Sequence, residues 1–336
     1  MLLTLCMVLT LVSMTAFAAN APANVVTING VTLNSMYPYL VSGAKQSSGT
    51  LNGTTCTAHF DAVTGTLSLW NYNGNYIVAG GAGGAKDLTV ILKGTNTITS
   101  NLRNDTDGGN LTITAEEDAS LNITNSDNSD GVLIGISTDF SGINSGGGSI
   151  SIKGKANITI IVTNTSTNVY AKSYGLFAKQ GISISDSASL DVTSTCHSSS
   201  DYSAYGIYTK NQSFTANTSG VIRVDVSNTQ NANPTAISAG SYSLTKVDQL
   251  LCKYNSTGID FYGAVTKPVG FFAYNKGVVS GTPTTEIRGG STPVRTATFV
   301  GVRNNFGKWT GQYFSGDSVE LSAETLGIPF SSWQSS

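Results

Sequence analysis

Two turns of this chain carry carboxylates at a spacing that suits a hard cation. Asn104-Asp105-Thr106-Asp107-Gly108-Gly109 and Asp127-Asn128-Ser129-Asp130-Gly131 set side-chain oxygens at alternating positions in glycine-ended turns. Calcium takes about six to eight such oxygens, and each turn supplies only part of that set. Asp105, Asp107, Asp127 and Asp130 are therefore candidate calcium ligands, on the condition that the two turns sit side by side. The plainer reading is that Asp-Gly and Asn-Gly are good turn formers and hold no metal.

A second constellation is aromatic and cationic. Tyr174-Gly175-Leu176-Phe177-Ala178-Lys179 and Tyr205-Gly206-Ile207-Tyr208-Thr209-Lys210 match position by position. If Leu176 and Ile207 point inward, Phe177 and Tyr208 stack on the outside of neighbouring strands, with Lys179 and Lys210 beside them. Aromatic faces suit the apolar faces of sugar rings, and two adjacent lysines suit an acidic sugar. Like charges opposite each other on neighbouring strands repel by up to about 1 kcal/mol, so the pair costs stability unless something anionic binds it. The alternative is an ordinary solvated ladder with a stabilising aromatic pair.

Catalytic constellations are harder to assemble. Glycoside hydrolysis needs two carboxylates facing each other across a substrate, but Glu116-Glu117-Asp118 lie consecutively on one tight turn. A polysaccharide lyase needs carboxylates holding calcium and a base beside the sugar carboxylate. The arginines before residue 288 are Arg103 and Arg223, far apart in sequence. His59 and His197 are isolated, with no serine, aspartate or metal partner in view.

What must position these groups is a repeat. From Asp139 onward, "turn, small apolar strand, turn, alternating strand, turn, alternating strand" recurs, with Gly142, Gly175, Gly206 and Ala236 in one slot at spacings of 33, 31 and 30 residues. A fixed period of that size marks stacked units, none of which buries its apolar face alone. Within the units Ile150, Ile152, Ile158 and Ile160 alternate with Ser, Thr and Asn, as do Ile182, Ile184, Leu190 and Val192. Upstream, Leu88, Val90 and Leu92, then Leu111, Ile113, Leu121 and Ile123, do the same. Period two is strand; only Lys246 to Tyr254 reads as a short helix. The expectation is an all-β chain: a right-handed parallel β-helix of about six coils over residues 71–262. N-terminal cap strands precede it over 19–70, and a small, incomplete β-rich module follows over 263–336. An immunoglobulin-like sandwich is the alternative, but sandwiches do not repeat a motif at fixed spacing.

Residues 1–18 form an apolar run ending in Ala16-Phe17-Ala18, which reads as a secretory leader, although no Lys or Arg precedes it. No later segment is apolar enough over a bilayer's thickness to be a transmembrane span. Charged residues are 11% of the chain and the net charge is −2, which argues against nucleic-acid and membrane-surface partners. Cys56, Cys196 and Cys252 remain after the leader, at spacings that match no metal or redox motif. They read as buried small side chains, with one disulfide plus a free thiol as the alternative.

Two stretches carry a family resemblance. Thr57 to Gly74 (TAHFDAVTGTLSLWNYNG) and Asp87 to Thr99 (DLTVILKGTNTIT) resemble repeats in secreted surface proteins of anaerobic gut bacteria of the Firmicutes type. Those are similar to the non-enzymatic, carbohydrate-binding branch of the pectate-lyase-like β-helix superfamily. The resemblance covers roughly residues 50 to 215 and rests on turn glycines, core leucines and outward threonines. Gly316-Asp317-Ser318-Val319-Glu320-Leu321-Ser322-Ala323, followed by Phe330 to Trp333, resembles a small cell-wall β repeat. It implies a fragment of a longer surface protein.

The reading that joins these strands is an extracellular or cell-wall, monomeric, non-catalytic β-helix. Its partner would be a polysaccharide or cell-wall glycan, bound through Phe177, Tyr208, Lys179 and Lys210. A calcium-dependent pectate-type lyase is the alternative. Outward threonines such as Thr89, Thr97, Thr112 and Thr159 also raise ice binding, but Asn, Lys and Ser interrupt them. Nine Asn-x-Ser/Thr sequons, Asn52, Asn104, Asn110, Asn122, Asn157 and Asn217 among them, read as an Asn- and Thr-rich outer face.

Overall fold

The computed structural model describes residues 20–80, 84–138, 147–200, 203–209, 212–229 and 234–239. It also gives the backbone of the strands Ser241–Tyr254, Phe271–Asn275, Thr285–Gly289 and Thr292–Ala297. Residues 1–19 and most of residues 263–336 lie outside the described residues, as do Gly142 and Lys210. Among the described residues the chain is all-β, in a 15-stranded sheet, an 8-stranded sheet and a two-stranded ribbon.

The larger sheet is built by return of the chain to the same lattice point. Leu67, Val90, Ile113, Ile152, Ile184 and Ala216 stand in register across parallel strands. All six are buried. One residue earlier on each strand, Thr66, Thr89, Thr112, Ser151, Ser183 and Thr215 form a matching file on the opposite, half-buried face. The alternation follows from the strand itself, in which successive side chains point to opposite faces. In these two files apolar residues fill the inward positions and hydroxyls the outward ones, so the strands present the same two faces to one another there.

The smaller sheet runs through Ile77–Gly80, Leu102–Asn104, Val132–Ser137, Lys172–Phe177, Ala204–Tyr208 and Thr235–Ser238, again in parallel pairs. Its core side is Ile77, Leu102, Ile136, Leu176, Ile207 and Ile237, each at 0% exposure. These residues share one apolar core with the inward row of the larger sheet.

Antiparallel strands close the N-terminal edge of both sheets. Val25–Ile28 pairs antiparallel with Ile77–Gly80 and with Val31–Leu33. Tyr39–Val41 and Cys56–Asp61 lead antiparallel into Thr66–Trp70. Ala21–Pro22 adds a short parallel segment to Lys86–Asp87, and Ala23 N–H donates to the Asp87 carbonyl at 2.8 Å. Gly65 permits this approach: it has φ +65°, and a Cβ there would meet Ala23 N at 2.6 Å and Asp87 O at 2.7 Å.

Two expectations are corrected. Lys246 to Tyr254 is not helical but the second half of the strand Ser241–Tyr254, paired in parallel with Ser213–Asn228. The glycine slot of the repeat is filled upstream by Gly135 and not by Gly142. Ile134 pairs with Tyr174 and Ile136 with Leu176, which places Gly135 beside Gly175, while the same register places Gly206 beside Gly175 and Ala236 beside Gly206. The glycine-rich run after Asp139 imitates the slot in sequence, but the strand that enters the sheet comes before it.

Candidate functional site

The slot glycines shape the most unusual surface of the molecule. A Cβ on Gly175 would lie 2.2 Å from Val192 Cγ1, and one on Gly206 would lie 2.1 Å from Val224 Cγ1. The bare backbone at these positions is therefore pressed against the larger sheet. Leu176 and Ile207, the next residues, also enter the core. Two consecutive inward residues break the alternation, so Tyr174 and Phe177 emerge on the same side although they are three positions apart. Tyr205 and Tyr208 do likewise. Ser173 stays inside, where it accepts a hydrogen bond from Ser194 Oγ at 2.9 Å.

The result is a two-by-two array of rings. Tyr174 and Tyr205 stack with centroids 4.9 Å apart and planes 5° apart; Phe177 and Tyr208 stack at 5.4 Å and 13°. Between the two columns the contacts are edge-to-face, at 5.2 Å for Tyr174 with Phe177 and 5.1 Å for Tyr205 with Tyr208. Both geometries are favourable for aromatic quadrupoles, each contributing about 0.5–1.5 kcal/mol beyond burial. Tyr174 is buried, whereas Phe177, Tyr205 and Tyr208 are half-buried. Burial, and after it the neighbouring Tyr205 and Tyr208 phenols, push the Tyr174 hydroxyl well above the ordinary tyrosine range; burial also raises Tyr208. These phenols stay neutral hydrogen-bonding groups at any physiological pH.

Phe177 and Tyr208 thus face each other across neighbouring strands, while Tyr174 and Tyr205 complete the array. Strict alternation puts Tyr174 on the side of Leu176, so sequence reading passes over it. The available signal was the shared Tyr-Gly-Leu/Ile-Phe/Tyr motif, whose glycine relaxes the alternation. Lys179 follows Phe177 at a half-buried position. Lys210 lies outside the described residues, so its place beside Lys179 is not part of the observed geometry.

The acidic turns are not brought together. Leu102–Asn104 pairs in parallel with Val132–Ser137, with Leu102 opposite Ile136. Asp105 and Asp107 leave the end of the first strand, whereas Asp127 and Asp130 lead into the start of the second, so the two turns occupy opposite ends of the paired strands. Their carboxylates have local partners instead: Asp105 pairs with Arg103 at 3.2 Å, and Asp130 accepts a hydrogen bond from Ser166 Oγ at 2.6 Å. Asp127 accepts one from the Asn128 N–H at 2.8 Å. Among the described residues no three His, Cys, Asp or Glu side chains group as metal ligands would. A calcium ion shared by Asp105, Asp107, Asp127 and Asp130 is thereby replaced by two separate turns.

The remaining titratable groups are dispersed. Glu117 forms an exposed pair with Lys155 at 3.6 Å; Glu116 and Asp118 flank it, and the three lie not on a tight turn but at the exposed, bulged middle of the strand Leu111–Asp127. The His59 ring packs on Tyr39 with centroids 4.5 Å apart. Cys56 and Cys196 are buried free thiols, and burial raises the Cys56 thiol. The Cys252 side chain lies outside the described residues. A second aromatic group lies near the N-terminal edge, where half-buried Tyr39 and Trp70 have Gly49 and Gly53 packed against their rings and Lys93 Nζ lies 5.7 Å from the Trp70 centroid.

No known protein family matches the chain, and neither the curated proteins nor the solved structures contain a significant match to it.

Proposed function

We propose that this protein is an extracellular or cell-wall right-handed parallel β-helix that binds a polysaccharide without cleaving it. The in-register parallel rows, two sheets sharing one core and the repeat near thirty residues support the helix reading. So does the sequence resemblance to carbohydrate-binding, pectate-lyase-like surface proteins, while the leader-like N terminus supports the extracellular reading. The observation that carries the binding reading is the ring array of Tyr174, Phe177, Tyr205 and Tyr208. It presents half-buried aromatic surface on rigid, paired strands, and rigid aromatic groups bind at low entropic cost. The Tyr174 and Tyr208 phenols are neutral, so the array recognises shape and hydroxyls, with Lys179 as the nearby cation.

The test is retention of residues 19–336 on cellulose, xylan, mannan and polygalacturonate, with the eluates assayed for shortened or unsaturated chains. Retention without cleavage is expected, and Phe177→Ala with Tyr208→Ala should weaken it by about tenfold, in keeping with the loss of about 1.4 kcal/mol of contact. Cleavage products would instead establish the lyase. Unchanged retention by the folded double variant would move the site elsewhere.

A further inference from the structure

Near its N-terminal edge the larger sheet departs from the hydroxyl-lined exterior of its later strands. Tyr39 is opposite His59, His59 opposite Ser68 and Ser68 opposite Ile91, so these four form one line across four strands. In the neighbouring line Trp70 is opposite Lys93, and the same register carries Thr57 to the other side of Trp70. Ala58, Phe60, Leu67, Leu69, Val90 and Leu92 alternate with them into the core, so both lines stand on the outer face. Ser68 is the smallest of the group. His59 and Ile91 flank it across the strands and Trp70 stands beyond it on its own strand, so larger side chains rise around a hydroxyl floor. His59 and Trp70 are diagonal neighbours, about 7–8 Å apart. The hollow lies within the sheet, because Thr66–Trp70 is paired on both sides. Asn20 and Gly84, where the described chain begins and resumes, lie beside Asp87 and Lys86 at the far end of the strand Lys86–Lys93, about 23 Å from Lys93.

The polar atoms around this hollow are unused. Among the described residues the Ser68 hydroxyl, the His59 ring and the Trp70 Nε1–H have no hydrogen-bond partner, and Lys93 forms no ion pair. All four can donate. Asp61, two residues along from His59, is engaged in its own turn, accepting from the Val63 N–H and the Thr64 hydroxyl at 2.9 Å each. Lys93 Nζ lies 5.7 Å from the Trp70 centroid, which sets a cation beside the largest ring of the group. That ring is held before any ligand arrives. Gly53, at φ +71°, packs against its five-membered part, and Asn52 Oδ1 pins the turn by accepting from the Thr54, Thr55 and Cys56 N–H groups at 2.9, 3.0 and 3.1 Å. A ring fixed in advance loses little freedom on contact. A neutral sugar would leave the ammonium unmatched, and a small anion would leave the indole unmatched. A sugar ring bearing a carboxylate or sulfate matches both.

We infer that the hollow around Ser68 is a second glycan site, separate from the ring array, and that it takes an acidic sugar. The sugar ring packs on Trp70, and its anionic group is held by Lys93 with Ser68 and His59 as further donors. The inference shares with the ring-array reading only the class of ligand.

The test compares residues 19–336 on polygalacturonate, on its full methyl ester, which keeps the ring and removes the charge, and on carrageenan, which carries sulfate. Retention on polygalacturonate or carrageenan is expected, and the polymer retained identifies the anionic group; the methyl ester should be held at least tenfold more weakly than polygalacturonate where the group is a carboxylate. Lys93→Gln should weaken retention about tenfold, as for one lost charge-assisted hydrogen bond, and Lys93→Arg should restore it. The loss is expected equally in the background of Phe177→Ala with Tyr208→Ala, which separates the two sites. Lys93 is exposed, so Lys93→Gln leaves the core untouched, and thermal melting checks this. Undiminished retention by Lys93→Gln overturns the site and leaves the ring array standing. Equal retention on polygalacturonate and its methyl ester overturns the acidic specificity. Retention on neither acidic polymer overturns the inference, and the ring array keeps its own test on the neutral ones.

Discussion

Strands of the larger sheet such as Ile150–Asn164 send every second residue inward, while those of the smaller sheet send two neighbours inward together and turn large rings out. The two sheets share one core, so the difference lies in how each strand spends its positions. In the larger sheet Leu67, Val90, Ile113, Ile152 and Ile184 supply bulk, and the backbone stays at a side chain's distance from whatever it faces. In the smaller sheet Gly135, Gly175 and Gly206 give up bulk, so the valine and isoleucine methyls of the larger sheet reach the backbone itself. The regular sheet gains a hydroxyl-lined exterior of uniform relief. The irregular one gains a raised aromatic patch. A binding surface needs relief, and here relief arises where the alternation is broken.

The contrast can be tested from its strongest consequence downward. Phe214 is fully buried in the larger sheet, and Phe214→Ala should destabilise by about 3–5 kcal/mol in equilibrium denaturation. A loss under 1 kcal/mol would mean that the inward row is not close-packed there. Gly175→Ala comes next. Its Cβ would lie 2.2 Å from Val192 Cγ1 and 2.6 Å from the Gly206 carbonyl, and overpacking of this kind costs about 1–3 kcal/mol. Thr112→Val, on the outer face of the larger sheet, should stay within about 0.5 kcal/mol. Equal effects of the two would erase the distinction between the sheets.

A further effect, comparable in size to that of Gly175→Ala, concerns a buried phenol outside the array. Burial raises Tyr72 from 10.0 to about 12, and its hydroxyl is buried without a hydrogen-bond partner among the described residues. The folded state keeps a proton that the unfolded chain releases from about pH 10. The stabilisation linked to that proton is complete below pH 10 and lost as pH rises toward 12, at up to about 1.4 kcal/mol per pH unit. Tyr72→Phe should gain about 1 kcal/mol at pH 7, because an unpaired buried hydroxyl is costly. It should also flatten stability between pH 10 and 12. Alkaline unfolding unchanged by the substitution would show that Tyr72 is solvated.

The regular sheet was legible from the sequence and the irregular one was legible only in part. Ile150, Ile152, Ile158 and Ile160 sort themselves from Ser151 and Thr159 by type alone, because one face is apolar and the other wet. The phase of the first repeat was misread, since the glycines after Asp139 imitate a slot that Gly135 fills. Lys246 to Tyr254 mixes polar and apolar residues without clean alternation, and pairing with Ser213–Asn228 decides its conformation. Tyr174 and Tyr205 were hidden by a glycine whose effect is to switch faces. The acidic turns read as one site because sequence gives spacing along the chain but not which end of a strand a turn occupies.

Ile152, Ile184 and Ala216 hold the same position on successive strands, each thirty-two residues after the last. Length in this part of the molecule is thus counted in whole units. An in-frame duplication of one unit would add one more rung, about 4.8 Å of height, and leave every contact above and below in phase. An insertion of an odd number of residues within a strand would turn its inward side chains outward. The gene for such a chain can lengthen or shorten its reach by unequal crossing-over, while selection removes the partial steps.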